Sequence, residues 1–336
     1  MYYFDTMANT SPRSPFDDLD ADIIFRSSDE VDFRLYRVVI AKASPVFLDM
    51  LAMPNGEDGT VVPPVIPLSE DAQTLEHLLR LCYPVEPPNV ADLDELIPTL
   101  RAADKYHMPH VLSALKKDLE SFMQNEPLRV FAIAYIYKFG DLARTTARHI
   151  LHIGPDFACP PVLPPELDVL PASALSHLLR YRQECVQVAL SVTEDAAWKL
   201  GRPVTSIRPA MMYDEVNESD GARAAAEGAA RLDWAWLTCR QKCEVAHLRP
   251  GKKEGRWVPK WFVDYIALVR RNLEVRPEGR SVLADHPRIE SIAVQGSKCT
   301  YCARAYQDLW EFSYVFAKAI DEAVSQVSLA ALSSDR

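Results

Sequence analysis

The stretch Asp22–Leu51, DIIFRSSDEVDFRLYRVVIAKASPVFLDML, decides the fold of the first third of this chain. Ile23, Ile24 and Phe25 read as a short apolar strand, and Ser27 to Glu30 supply turn chemistry. Phe33 and Leu35 then alternate with Arg34 and Tyr36, as in a half-buried second strand. A helix follows: Ser44 is its N-cap, Pro45 takes the first helical position, and Phe47, Leu48 and Leu51 recur at helical spacing.

The pattern continues outward from this segment. Ser69 is read as an N-cap with Glu70 and Asp71 in the first helical turn, and Leu75, Leu78, Leu79 and Cys82 make one apolar stripe. Pro84, Pro87 and Pro88 end it. Asp92, Asp94 and Glu95 suit the start of a helix carrying Leu93, Leu96, Ile97 and Leu100, and Pro109 opens another with Leu112, Leu115, Leu119 and Phe122 as its face.

These residues resemble the BTB/POZ family, whose signature is an Asp-led strand followed by Phe-x-x-His-Arg-x-x-Leu-Ala-x-x-Ser-x-x-Phe. Here the match runs from Asp22 through Phe33, Arg37, Ala41, Ser44 and Phe47, with Tyr36 in the His place and Ile40 in the Leu place. Ile66-Pro67-Leu68, the helix ending near Tyr83, and Ala102-Ala103-Asp104-Lys105-Tyr106 resemble later parts of the same domain. The chain is also similar, beyond that span, to BTB-like proteins of fungal expansions of the family. The resemblance implies a three-stranded sheet flanked by helices that binds other proteins or itself, and in some members recruits a cullin-type ubiquitin ligase. On that reading Phe25, Phe33, Leu35, Phe47, Leu68, Leu78 and Tyr106 are core residues.

The expected architecture is therefore an α+β domain over 20–123 followed by a mainly α-helical region. Residues 1–19, with Ser11-Pro12 and Ser14-Pro15, read as a disordered tail. That leaves few structured residues ahead of Asp22, which argues against dimerisation by exchange of N-terminal elements. Pro127–Gly140 and Leu142–Leu151 read as two helices with Gly140 at the C′ position of the first, a hairpin over 124–153 that resembles a BACK-type extension. A Pro-rich crossing from Gly154 to Pro171 leads into a helical C-terminal domain, 154–336.

Within that domain Leu175, Leu178, Leu179, Arg182, Cys185, Val186 and Ala189 mark one helix face, and residues 201–230 read as a flexible insertion. Trp261, Phe262, Tyr265, Ile266, Val269 and Leu273 form a second face. Leu309, Phe312, Phe316, Ile320, Val324 and Val327 form the last.

Charge separates the two parts. Residues 1–125 hold 10 Lys and Arg against 21 Asp and Glu, a net of −11. Such a surface disfavours non-specific binding to nucleic acid. Between Arg240 and Arg280 the balance reverses to 11 basic and 5 acidic side chains, the one stretch suited to an anionic partner. No long uncharged apolar run and no secretory leader is recognisable, so an intracellular, cytoplasmic or nuclear location without membrane insertion is expected, and the 7 cysteines are expected to be reduced thiols.

Four of those cysteines are the candidate chemical site. Cys239-x3-Cys243 and Cys299-x2-Cys302 are close pairs separated by 55 residues, and four soft thiolates suit a tetrahedral structural zinc ion. His247 is an alternative ligand, at i+8 from Cys239 if the segment is one helix. The competing reading is a group of small buried thiols.

His149-x2-His152 lacks a third ligand nearby, and His107 and His110 sit at a helix junction where satisfying exposed backbone groups is the simpler role. Phosphate-cradle, dinucleotide-binding, nucleophile-elbow and zinc-protease motifs do not occur, so no catalytic or cofactor-binding residue is assigned. The leading expectation is a non-enzymatic adaptor with protein partners, a cullin scaffold or a second copy of itself. The rival is a BTB-linked transcriptional or nucleic-acid-associated regulator that uses the cysteines and the basic stretch.

Overall fold

The structure is a computed structural model that describes residues 14–53, 63–154, 163–199, 234–239, 243–248, 257–283 and 286–329. The insertion expected over 201–230 lies outside these residues, as do 1–13 of the expected tail, 155–162 of the Pro-rich crossing, and 240–242 and 249–256 of the basic stretch. The chain divides into two compact units, Met1–Val130 and Phe131–Arg336.

The N-terminal unit is built on β1 (Ile23–Arg26), β2 (Asp32–Leu35) and β3 (Val65–Pro67), in the order β2-β1-β3. β1 runs antiparallel to β2, with Phe25 opposite Phe33, and parallel to β3, with Phe25 opposite Ile66. Central β1 is buried on both faces, which is why Ile23, Ile24 and Phe25 are consecutive and not alternating apolar residues. The helices are α1 (Arg37–Ala43), α2 (Pro45–Ala52), α3 (Ala72–Arg80), α4 (Leu93–Lys105) and α5 (Pro109–Ser121).

Several details differ from the sequence expectation. Helix α1 was not expected. Its first turn is held by the Asp22 carboxylate, just before β1, which accepts the Arg37 N–H at 2.6 Å, and by burial of Ile40. The N-cap of α3 is Asp71, not Ser69, since its carboxylate accepts the Thr74 N–H at 2.7 Å. The tail also ends earlier than residue 19. Phe16 is buried against Phe33 and Tyr83, and its carbonyl accepts the Arg34 N–H at 2.9 Å, so the chain is already part of the domain at Phe16.

The span 124–153, expected as a helical hairpin, is crossed by the division between the two units. The division falls within α6 (Pro127–Ile136), and α7 (Gly140–Ile153) groups with the C-terminal unit, where the His152 ring is bonded to Glu278. Gly140 opens α7 and does not close α6. The left-handed residue is Lys138 at φ 60°, with Phe139 N–H to Ala134 C=O at 2.8 Å and Lys138 N–H to Tyr135 C=O at 3.2 Å closing the helix end.

In the C-terminal unit α8 (Ala172–Lys199) packs on α10 (Lys260–Val275) and α12 (Ala305–Ser325), and α11 (His286–Ser297) packs on both of these. The buried stripe of α8 is Ala174, Leu178, Tyr181, Cys185 and Ala189, while Leu179 is exposed. Arg182 instead donates to the carbonyls of Glu274 and Val275 at the end of α10, at 3.1 and 2.8 Å. The expected faces of α10 and the first four residues of the α12 face are buried as read. A short helix α9 (Ala235–Thr238) and two antiparallel strands, β4 (Val245–His247) and β5 (Trp257–Pro259), stand where only helix was expected.

Candidate functional site: a signature latch and a cysteine cluster

The signature residues of the N-terminal unit converge on one another. Ser44 caps α2 by accepting the Phe47 N–H at 3.1 Å, and its hydroxyl donates to the Tyr106 carbonyl at 2.6 Å across 62 residues of chain. The Phe47 ring stacks on Tyr106 at 4.3 Å and meets Phe25 of β1 at 4.9 Å. Tyr106 donates its phenol to Glu70 at 2.6 Å, and Lys105 donates to the same carboxylate at 2.7 Å. Burial pushes the Glu70 carboxyl up, but these two hydrogen bonds outweigh it and hold the group below its ordinary range. Tyr83 accepts the Tyr36 N–H at 2.9 Å. The signature is thus a structural latch between sheet and helices. Its bonds run to backbone and to one another, from the buried Ser44 hydroxyl to the exposed Lys105 ammonium.

The second constellation lies in the C-terminal unit. Cys239 caps α9, Cys243 precedes β4, and Cys299 and Cys302 bracket the turn between α11 and α12. The four sulfurs all lie within 4.8 Å of one another, with Cys239 to Cys299 at 3.9 Å and Cys243 to Cys302 at 3.8 Å. Cys299 and Cys302 are buried and the other two half-buried. Burial raises the Cys243 thiol to about 12, with Cys299 and Cys239 adding and Cys302 opposing, and burial likewise raises Cys302.

What holds the four together is the aromatic core beside them. Trp236 stacks on Phe262 at 4.3 Å and meets Trp261 edge-on at 6.1 Å, and the Asp308 carboxylate accepts the Ala235 N–H at 2.8 Å. These contacts seat α9, and hence Cys239, against α10 and α12. The indole N–H of Trp261, in a side chain only 4% exposed, has no hydrogen-bond partner among the described residues. Gly296 allows the close approach: a Cβ there would stand 2.8 Å from Ala305 Cβ and 2.9 Å from the Trp261 ring.

His247 does not join the cluster. It lies on β4, not on a helix continuing from Cys239, and its ring meets Trp257 edge-on at 5.4 Å. His107 is left-handed at φ 51°, and its N–H and that of Met108 close the end of α4 on Asp104 and Ala103, so it serves the backbone. His149 and His152 hold no third ligand among the described residues, and the bond to Glu278 raises the pKa of His152.

Residues 16–122 match the family model described as the BTB/POZ domain, over the span in which sheet order, latch and signature coincide. This part of the chain is a BTB/POZ domain. A comparison with curated proteins gives no match. BTB/POZ domains bind other proteins and self-associate, and they are not catalytic domains. Phe33, Ile40, Ser44 and Phe47 of the BTB/POZ signature are buried, while Asp22 is exposed and Tyr36, Arg37 and Ala41 are half-buried, so the surface open to a partner is made largely by other residues. Val38 on α1, and Leu48 on α2 with Met53 at its end, are exposed apolar side chains on two helices that pack together. No helix of the described residues is long and apolar enough to cross a membrane.

Proposed function

We propose that this chain is a non-enzymatic, intracellular adaptor whose BTB/POZ domain docks on a cullin-type ubiquitin-ligase scaffold. The observation that carries the reading is the BTB/POZ match over 16–122, with Ser44, Phe47 and Tyr106 locked into its interior and exposed apolar side chains on the outer helices α1 and α2 left for recognition. The net charge of −11 over residues 1–125 favours a partner with a basic face, and such association weakens as ionic strength rises. The C-terminal unit then serves as the second platform, holding a client protein.

The rival role on nucleic acid has less support. Within the described part of the basic stretch, Lys260 pairs with Asp264 at 2.9 Å, and Arg270 donates to Thr193 at 2.6 Å, so neither is presented as a phosphate contact.

The test is a titration of the full chain against a panel of purified cullin-family scaffolds, alongside its own self-association. Saturable binding to one scaffold, weakened about tenfold or more by Val38→Asp with Leu48→Asp, is the expected result. No association with any scaffold removes the ligase role and leaves self-association alone.

A further inference from the structure

We propose that Cys239, Cys243, Cys299 and Cys302 bind one zinc ion in a closed, structural tetrathiolate centre that clasps α9 and β4 onto the turn between α11 and α12. This is independent of any cullin partner. The geometry carries it. With zinc–sulfur bonds of about 2.3 Å, the edges of a regular tetrahedron of sulfurs are about 3.8 Å long. The two cross-pairs stand at 3.9 and 3.8 Å, and no pair of ligand atoms exceeds 4.8 Å. Four thiols brought this close without an ion would give one another weak hydrogen bonds. A divalent cation would replace the four thiol protons, which leave to solvent.

Four thiolates around a divalent cation make a centre of net charge −2. The buried Trp261 indole N–H has no hydrogen-bond partner among the described residues, and Trp261 lines the open groove beside Cys243 and Cys299. Lys260 and Lys298 line the same groove together with Glu244 and Asp264, so it carries both signs of charge. All four ligand positions belong to protein sulfur, so no position remains for water or substrate, and the ion's contribution is to structure. The ligand pairs come from segments 55 residues apart, so the ion closes a long loop that unit packing alone would have to hold. Thiolate-only coordination also selects zinc over the harder divalent ions.

The experiment uses the full chain, purified under reducing conditions without chelator. Elemental analysis should find one zinc per chain, released when a mercurial blocks the thiols. The cobalt-substituted protein should show the intense visible bands of tetrahedral cobalt and a near-ultraviolet thiolate-to-cobalt transition. Cys243→Ser and Cys299→Ser should lose the metal, while Cys185→Ser, outside the cluster, should keep it. If the serine variants fail to fold, the zinc content and cobalt spectrum of the unaltered chain still decide. Zinc well short of stoichiometric, iron in its place, an octahedral cobalt spectrum, or disulfides linking Cys239 to Cys299 or Cys243 to Cys302 would each overturn the proposal.

Discussion

The BTB/POZ unit and the C-terminal unit both tie elements together through side-chain bonds to backbone, but they differ in the weight of their aromatic centres. In the first, polar side chains bond the backbone of neighbouring elements: Asp22 to Arg37, Ser44 to Phe47 and Tyr106, and Asp71 to Thr74. In the second, Trp234, Trp236, Trp261, Phe262 and Phe312 form an aromatic centre, with the four cysteines beside it. Caps and latches fix where helices begin and so specify a fold in small, local steps. An aromatic centre fixes nothing until distant segments have met, and then contributes much at once. Such a centre gains most from an ion that holds its segments in place.

That contrast can be broken by substitution. Trp236→Ala should cost the C-terminal unit about 3–5 kcal/mol, the largest single effect expected, because a fully buried indole leaves a cavity among rings. All six tryptophans lie in that unit, so tryptophan emission during denaturation follows it alone, while amide exchange follows the BTB/POZ unit. Gly296→Ala should come next, at about 1–3 kcal/mol, since Ala305 and Trp261 must both shift to admit a methyl group. It should also weaken metal binding by the same movement, measurable as a higher zinc dissociation constant. An emission transition unmoved by either change would mean that the aromatic centre does not hold the unit.

In the BTB/POZ unit, Ser44→Ala should cost about 1–2 kcal/mol through loss of the cap and of a donor to the buried Tyr106 carbonyl. Amide protection in α2 and at Tyr106 should fall, with tryptophan emission unchanged. If emission shifts as well, the two units do not unfold independently.

The smallest effects sharpen the comparison by their sign. The Glu70 pKa is depressed, so its contribution is present above its ordinary value of 4.5 and is lost as pH falls through the lower folded value. The His152 pKa is raised, first by Glu278, with Asp321 adding and burial and Arg280 opposing. Its contribution is complete below 6.5 and is lost as pH rises through the higher folded value. Acid should therefore weaken the N-terminal unit and mild alkali the C-terminal one, each by under about 1 kcal/mol after solvent screening. Melting curves of Glu70→Gln and His152→Asn against pH check this, since each variant should flatten only its own limb.

Much of the N-terminal unit was legible because its signals are local. Ser44-Pro45, Asp92 and Pro109 announce their helices within a turn of where they act. What escaped reading depends on distance. The run Arg37–Ala43 is rich in β-branched residues and its first helical turn is held by a carboxylate at Asp22, and Phe16 counts as core only once Phe33 and Tyr83 are in place. In the C-terminal unit the apolar stripe of α10 was readable from periodicity. The stripe of α8 was readable in part: Leu178, Cys185 and Ala189 are buried as expected, while Leu179 is exposed and Tyr181 is buried beside an Arg182 that bonds α10's last carbonyls. The cysteine pairs were visible as pairs. Their convergence, and the exclusion of His247, follow from β4 and from the folding back of 55 residues that no spacing encodes.

The most direct test of the account is hydrogen exchange on the full chain with and without a saturating cullin-family scaffold. The account predicts new protection confined to residues 16–122, centred on α1 and α2, with the cysteine cluster and the helices around it unchanged. Protection appearing only in the C-terminal unit, or none anywhere at saturating scaffold, would contradict it.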